Sequence, residues 1–181
     1  MTRVIKIENE SDLTPEDRHI YKEISDTRGA VRGPFAVLLN SPELAARTAH
    51  LGEYLRFRSV LPDGIRELGI ITAAIEMNCN YEWSAHVKHA MAAGIQTHVI
   101  ETVRQRKPLE NLSSEQRLVI DFGRQLIRTK RITEETYQNA LEKFGTKGIT
   151  DLISTFGYYL MIACVLNAFD VQPGEDSPSI D

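Results

Sequence analysis

Between Arg66 and Gly94 the chain reads as two helices joined by a short polar break at Asn78-Cys79-Asn80. This stretch constrains the fold most, because its apolar residues recur at helical spacing on both sides of the break. With 100° per residue, Ile70, Ile71 and Ala74 fall within about 60° of Glu67, and Glu76 falls on the opposite side. Glu67 therefore shares an apolar face, while Glu76 is expected in solvent. On the second helix Glu82, Ala90 and Ala93 lie within about 40° of His86, and His89 within about 60°. Glu82 and His86 stand one turn apart on one stripe. Cys79 sits at the mouth of this helix, where the dipole favours a thiolate. No other stretch gathers an acid, a thiol, a second acid and an imidazole in this way.

The rest of the chain supplies helix signals in sequence. Thr14-Pro15-Glu16-Asp17 predicts a helix from Thr14 to about Thr27, after a loosely ordered lead-in over residues 1–13. Phe35–Leu39 predicts a helical turn laid over the core. Ser41-Pro42-Glu43 opens a helix whose Leu44, Leu51 and Leu55 share a face. Gly94 closes the second central helix as a C′ residue. A short helix from Thr97 stops before Pro108, and Ser113 or Ser114 caps the next. Thr133 caps a helix closed by Gly145. The last helix ends near Phe169 and is apolar nearly all round, as a core or interface helix is. A polar tail over 173–181 is expected to be mobile. No strand alternation, nucleotide-binding glycine loop or internal linker is evident. The fold class is all-α, with seven or eight helices in one domain over 14–172.

The 181 residues suffice for a core. A net charge of −4 argues against duplex DNA or an anionic membrane surface as partner. No signal peptide and no uninterrupted apolar run long enough for a bilayer is found. Two cysteines far apart point to a reducing cytoplasm rather than a disulfide framework.

The central residues carry the chemistry. A histidine beside carboxylates moves protons near neutral pH. Glu82 orients it and stabilises its cation, and Glu67, on its apolar face, is the acid expected to hold a proton through desolvation. Arg56 or Arg66 is placed to bind a substrate carboxylate, on charge alone. Glu82, His86 and His89 could in principle hold zinc, but no fourth ligand is evident and no metal is assigned. Trp83 is a core residue or a substrate platform.

At these positions the sequence resembles the carboxymuconolactone decarboxylase / alkyl hydroperoxidase D superfamily. In the peroxidase branch a glutamate precedes Cys-x-x-Cys, with a histidine four residues after the second cysteine. Here Glu67, Cys79, Glu82 and His86 hold those places, so a glutamate stands where the second cysteine would be. Tyr81-Glu82-Trp83-Ser84-Ala85-His86 is similar to the decarboxylase-like branch. Arg66-Glu67-Leu68, Ala92-Ala93-Gly94-Ile95, Gly33-Pro34-Phe35, Glu53–Arg58, Gly157-Tyr158-Tyr159 and Leu166–Phe169 extend the likeness over most of the chain. The resemblance implies an AhpD-like bundle around a central helical hairpin, a trimer or hexamer, a small-molecule substrate and no cofactor. It implies His86 as acid/base with Glu82 and Glu67, and a site-lining role for Asn167. Peroxidase chemistry needs a second thiol to resolve a sulfenic acid, which Glu82 cannot do. The primary expectation is therefore a cofactor-free decarboxylase-like lyase. The alternatives are a peroxidase using Cys79 with an external resolving thiol, and a non-catalytic oligomeric scaffold.

Overall fold

Helix caps set the order of elements. The computed structural model describes residues 2–175 and 177–180. Met1 of the lead-in and Asp176 and Asp181 of the tail lie outside the described residues. Among the described residues there are eight α-helices, one 3-10 turn (Glu10–Asp12) and no strand. They are α1 (Arg18–Arg28), α2 (Pro34–Leu38), α3 (Pro42–Phe57), α4 (Asp63–Glu76), α5 (Asn80–Ala92), α6 (Thr97–Arg104), α7 (Ser114–Thr129) and α8 (Glu134–Ala168). The all-α expectation holds.

One compact unit comprises residues up to Arg58 with Cys164–Gln172. The lead-in is held here by main-chain bonds, Ile7 N to Ala36 O (2.8 Å) and Arg3 N to Phe169 O (2.9 Å). α1 begins at Arg18 rather than after Thr14, because Thr14 Oγ1 donates to Asp17 Oδ2 and Asp17 becomes the N-cap of a later start. On α3 the buried face is Ala45, Thr48, Gly52 and Leu55. Leu44 and Leu51 are exposed, against expectation. Small residues let α1 and α2 approach α3 closely, and this outweighs the larger area of the leucines.

The second unit comprises Ser59–Ala163 and the chain from Pro173. α4 is its axis. Ile65 and every residue from Glu67 to Ile75 are buried, with α5, α6 and α7 packed around them. Glu76 is therefore not solvated. Its carboxylate is held by Arg128 through Nε and Nη2, both at 2.6 Å, on α7. Phe156 of α8 stacks on Phe122 of α7, with centroids 6.1 Å apart. It reaches between α4 and α7 because Gly69 and Gly123 present no side chain to it.

α8 is two helical halves meeting at Gly145 (φ 63°, ψ 173°), a backbone conformation open essentially to glycine. By length and composition α8 could cross a membrane, with a mean hydropathy of 1.6 over its most apolar window, against the expectation that no apolar run is long enough. Within the protein 56% of that window is buried. Ile149, Leu152, Phe156 and Ile162 of α8 are core residues.

The tail is not loose at its end. Ser179 O accepts from Trp83 Nε1 (3.1 Å), Ile180 N donates to Asn80 Oδ1 (3.0 Å), and Ile180 O accepts from Arg104 Nη1 (3.1 Å).

The glycine contacts make a paired prediction. A Cβ at position 123 would lie 2.4 Å from the Phe156 ring. Gly123→Ala should destabilise the fold by about 1–3 kcal/mol. Gly157→Ala on the exposed side of α8, where a Cβ meets nothing within 4 Å, should stabilise it by about 0.5–1 kcal/mol. Denaturant unfolding of the two variants beside wild type measures both.

Candidate active site

The turn between α4 and α5 places the site. Asn78 adopts the left-handed conformation (φ 48°) as the C′ residue of α4. Asn78 N donates to Ile75 O (3.1 Å) and Cys79 N to Ala74 O (2.8 Å), the paired bonds of a Schellman ending. Arg106, just past α6, donates to Asn78 Oδ1 (2.6 Å) and holds this turn from outside. α5 ends the same way at Gly94 (φ 87°), as expected. The two ends fix the register in which α5 lies along α4.

In that register Glu67 of α4 meets the stripe of α5. His86 Nδ1 lies 2.7 Å from Glu67 Oε2, and His86 Nε2 lies 3.4 Å from Glu82 Oε2. The imidazole stands between two carboxylates. All three residues are buried, at 4% exposure for each glutamate and 5% for the histidine. Tyr159 of α8 packs edge-on to the His86 ring, with centroids 5.0 Å apart and planes at 84°. Tyr159 is a neighbour of His86 that periodicity did not single out. Its signal was an aromatic pair on an otherwise apolar helix, which reads equally well as packing.

Glu67 does not hold a proton by desolvation, as the helical wheel suggested. Burial pushes its carboxyl up, but the hydrogen bond from His86 and the charges of His86, His89 and Arg66 pull harder. The carboxyl is held below the usual glutamate range. An ionised Glu67 accepts the Nδ1–H of His86, and this fixes a proton on Nδ1 and turns Nε2 toward Glu82.

The other named residues fall at different places. Cys79 is the N-cap of α5, as expected, and fully buried. Cys164 is exposed and neither cysteine is bridged. Trp83 is 2% exposed, with its indole N–H given to Ser179 O. Arg66 is near the dyad. Its Nη1 bonds Asp63 (2.9 Å), while its buried Nε lies 4.0 Å from Glu67 Oε1 and finds no hydrogen-bond acceptor among the described residues. Arg56 and Asn167 belong to the other compact unit. Arg56 lies over the ring of its neighbour Phe57 (5.2 Å), and Asn167 is exposed at the end of α8. Ser84 and Lys88, each about 160° around α5 from His86, differ in burial: Ser84 is buried and Lys88 exposed. Among the described residues no group of three His, Cys, Asp or Glu side chains is arranged to hold a metal ion.

Residues 42–118, from α3 into the first turns of α7, match the model of the carboxymuconolactone decarboxylase family. Two solved structures share the fold at 18% identity. One, described as an alkylhydroperoxidase AhpD core and an uncharacterized peroxidase-related protein, comes from Ralstonia eutropha JMP134. It superposes with a TM-score of 0.78 over 97% of this chain and 93% of its own. The other, an uncharacterized peroxidase-related protein from Silicibacter sp. TM1040, does so with 0.77 over 99% and 96%. No curated protein matches the chain.

The state of Glu67 has a consequence for stability. Its folded carboxyl titrates below the unfolded one, so as pH falls the unfolded state takes up the proton first. The stabilisation is complete above the ordinary glutamate range, about pH 4, and fades as pH falls through the folded value. Unfolding of wild type and Glu67→Gln across pH should show the largest difference near neutrality and convergence in acid.

Proposed function

We propose that this chain, a member of the alkyl hydroperoxidase D / carboxymuconolactone decarboxylase superfamily, is a cofactor-free lyase. It works by proton transfer on a small lactone or carboxylated carbonyl compound in the cytoplasm. The supporting observation is the His86 imidazole clamped between two buried carboxylates, with Nδ1 committed to Glu67 and Nε2 in the looser 3.4 Å contact with Glu82. Glu67 sets the tautomer and Glu82 steadies the ring when it is charged. Loss of carbon dioxide breaks the carbon–carbon bond and leaves its electron pair spread into the conjugated carbonyl. The Nε2–H bond of His86 then breaks as a new C–H bond forms, leaving neutral imidazole. Arg66, whose buried Nε finds no acceptor among the described residues, supplies the charge that anchors the substrate carboxylate.

A second reading, a thiol peroxidase, draws on Cys79 at the N-cap of α5, where the helix dipole favours thiolate. Position 82 offers no resolving thiol, so this chemistry needs an external one. A third reading, a non-catalytic oligomeric scaffold, draws on the burial of Cys79, Glu82 and His86. The lyase reading requires that the cover over these residues open for substrate.

A screen of muconolactones, other lactones and hydroperoxides separates the three. His86→Gln should cut lyase turnover by about 10²–10⁴-fold without unfolding the protein, and Cys79→Ser should leave it nearly intact. Lyase turnover that survives His86→Gln sinks the first reading. Hydroperoxide turnover lost with Cys79→Ser establishes the second, and silence of every substrate on folded wild type favours the third.

A further inference from the structure

An acid that gives its proton to carbon must be recharged before the next turnover, and His86 is walled off from water. The titratable groups around it are few. Glu67 faces it from α4, with Arg66 beside that carboxylate. Glu82 and His89 adjoin it on α5, and Tyr159 faces it from α8. Glu67 is held ionised by its surroundings and is a poor carrier. Tyr159 is buried, and a phenol gives up its proton only well above neutral pH. Arginine does not release protons. Glu82 is buried as deeply as Glu67 and offers almost no surface to bulk water.

His89 differs from all of these. It lies three residues beyond His86 on α5, on the exposed surface, yet its ring centroid is 5.6 Å from that of His86, with the planes at 55°. Its charge also acts on Glu67, so it belongs to the electrostatic surroundings of the dyad. Imidazole as a class changes charge between about pH 5 and 8. That makes it suited to taking a proton from solvent and releasing it inward. The ring separation leaves room for one bridging water.

We infer that His89 is the proton shuttle of this site, the positioning residue that connects buried His86 to bulk water. This inference rests on the proton-transfer role given to His86 above. The transfer balances simply. A ring N–H bond of charged His89 breaks as an O–H bond forms on the intervening water. A second O–H bond of that water breaks as the Nε2–H bond of His86 forms. The water is unchanged, His86 is charged, and neutral His89 takes its next proton from solvent or from a buffer acid.

The test uses the full chain with 15N-labelled histidine and reads ring-nitrogen relaxation in NMR, without any substrate. In weak buffer, His89→Asn should slow protonation exchange at His86 by about tenfold or more. Added imidazole should restore the wild-type rate, with the thermal midpoint unchanged throughout. An unchanged exchange rate overturns the shuttle, and so does a slowed rate that imidazole does not restore, which marks a structural role. The same spectra report on the dyad. A wild-type His86 without a proton on Nδ1 removes the functional reading and the shuttle together. A protonated Nδ1 with exchange indifferent to His89→Asn removes only the shuttle.

Discussion

The hydrogen bond between Glu67 and His86 is the contact around which the buried polar groups of the second unit gather. It joins α4, which is buried on nearly every side, to α5, which carries the other acid. A carboxylate in that position would be costly alone, because removing it from water outweighs any single weak contact. Here the imidazole N–H and the nearby cationic groups lower the cost enough to keep the charge. The rest of the arrangement follows from holding these two helices in one register. The Schellman endings at Asn78 and Gly94 fix where α5 starts and stops, and Tyr159 packs edge-on against the ring.

Much of this was legible in the sequence, since helix starts and stops are local signals. Ser41-Pro42 and Ser113 cap where they were expected to, and Gly94 ends α5. The pairing of Glu82 with His86 on one face of α5 also followed from helical spacing. The state of Glu67 did not. A helical wheel shows that an acid lies on an apolar face, but not which donors face it from the next helix. Glu76 misled for the same reason, because only the fold brings Arg128 of α7 across to it. Leu44 and Leu51 form a good apolar stripe, yet the close approach of α1 and α2 selects the small residues beside them. The contacts of Ser179 and Ile180 lie about a hundred residues away in sequence, beyond any local pattern.

Family and reaction are separate matters in this chain. The fold is shared with proteins described as peroxidase-related, at an identity that speaks for architecture alone. Glu82 places a second carboxylate 3.4 Å from the His86 imidazole, so two carboxylates flank one ring. Cys79 stands at the head of α5, about two turns before His86.

Phe156 has a consequence beyond packing. Its ring occupies the space that a side chain at Gly123 would need, where a Cβ would also come within 3.1 Å of Thr72 on the central helix. Positions 123 and 156 therefore share one volume. In a drifting lineage Gly123 cannot enlarge first. A smaller residue must appear at 156 before that glycine can gain a side chain, so substitutions here have a permitted order. The helix that carries Glu67 runs through this shared volume, and the site inherits that restriction on its history.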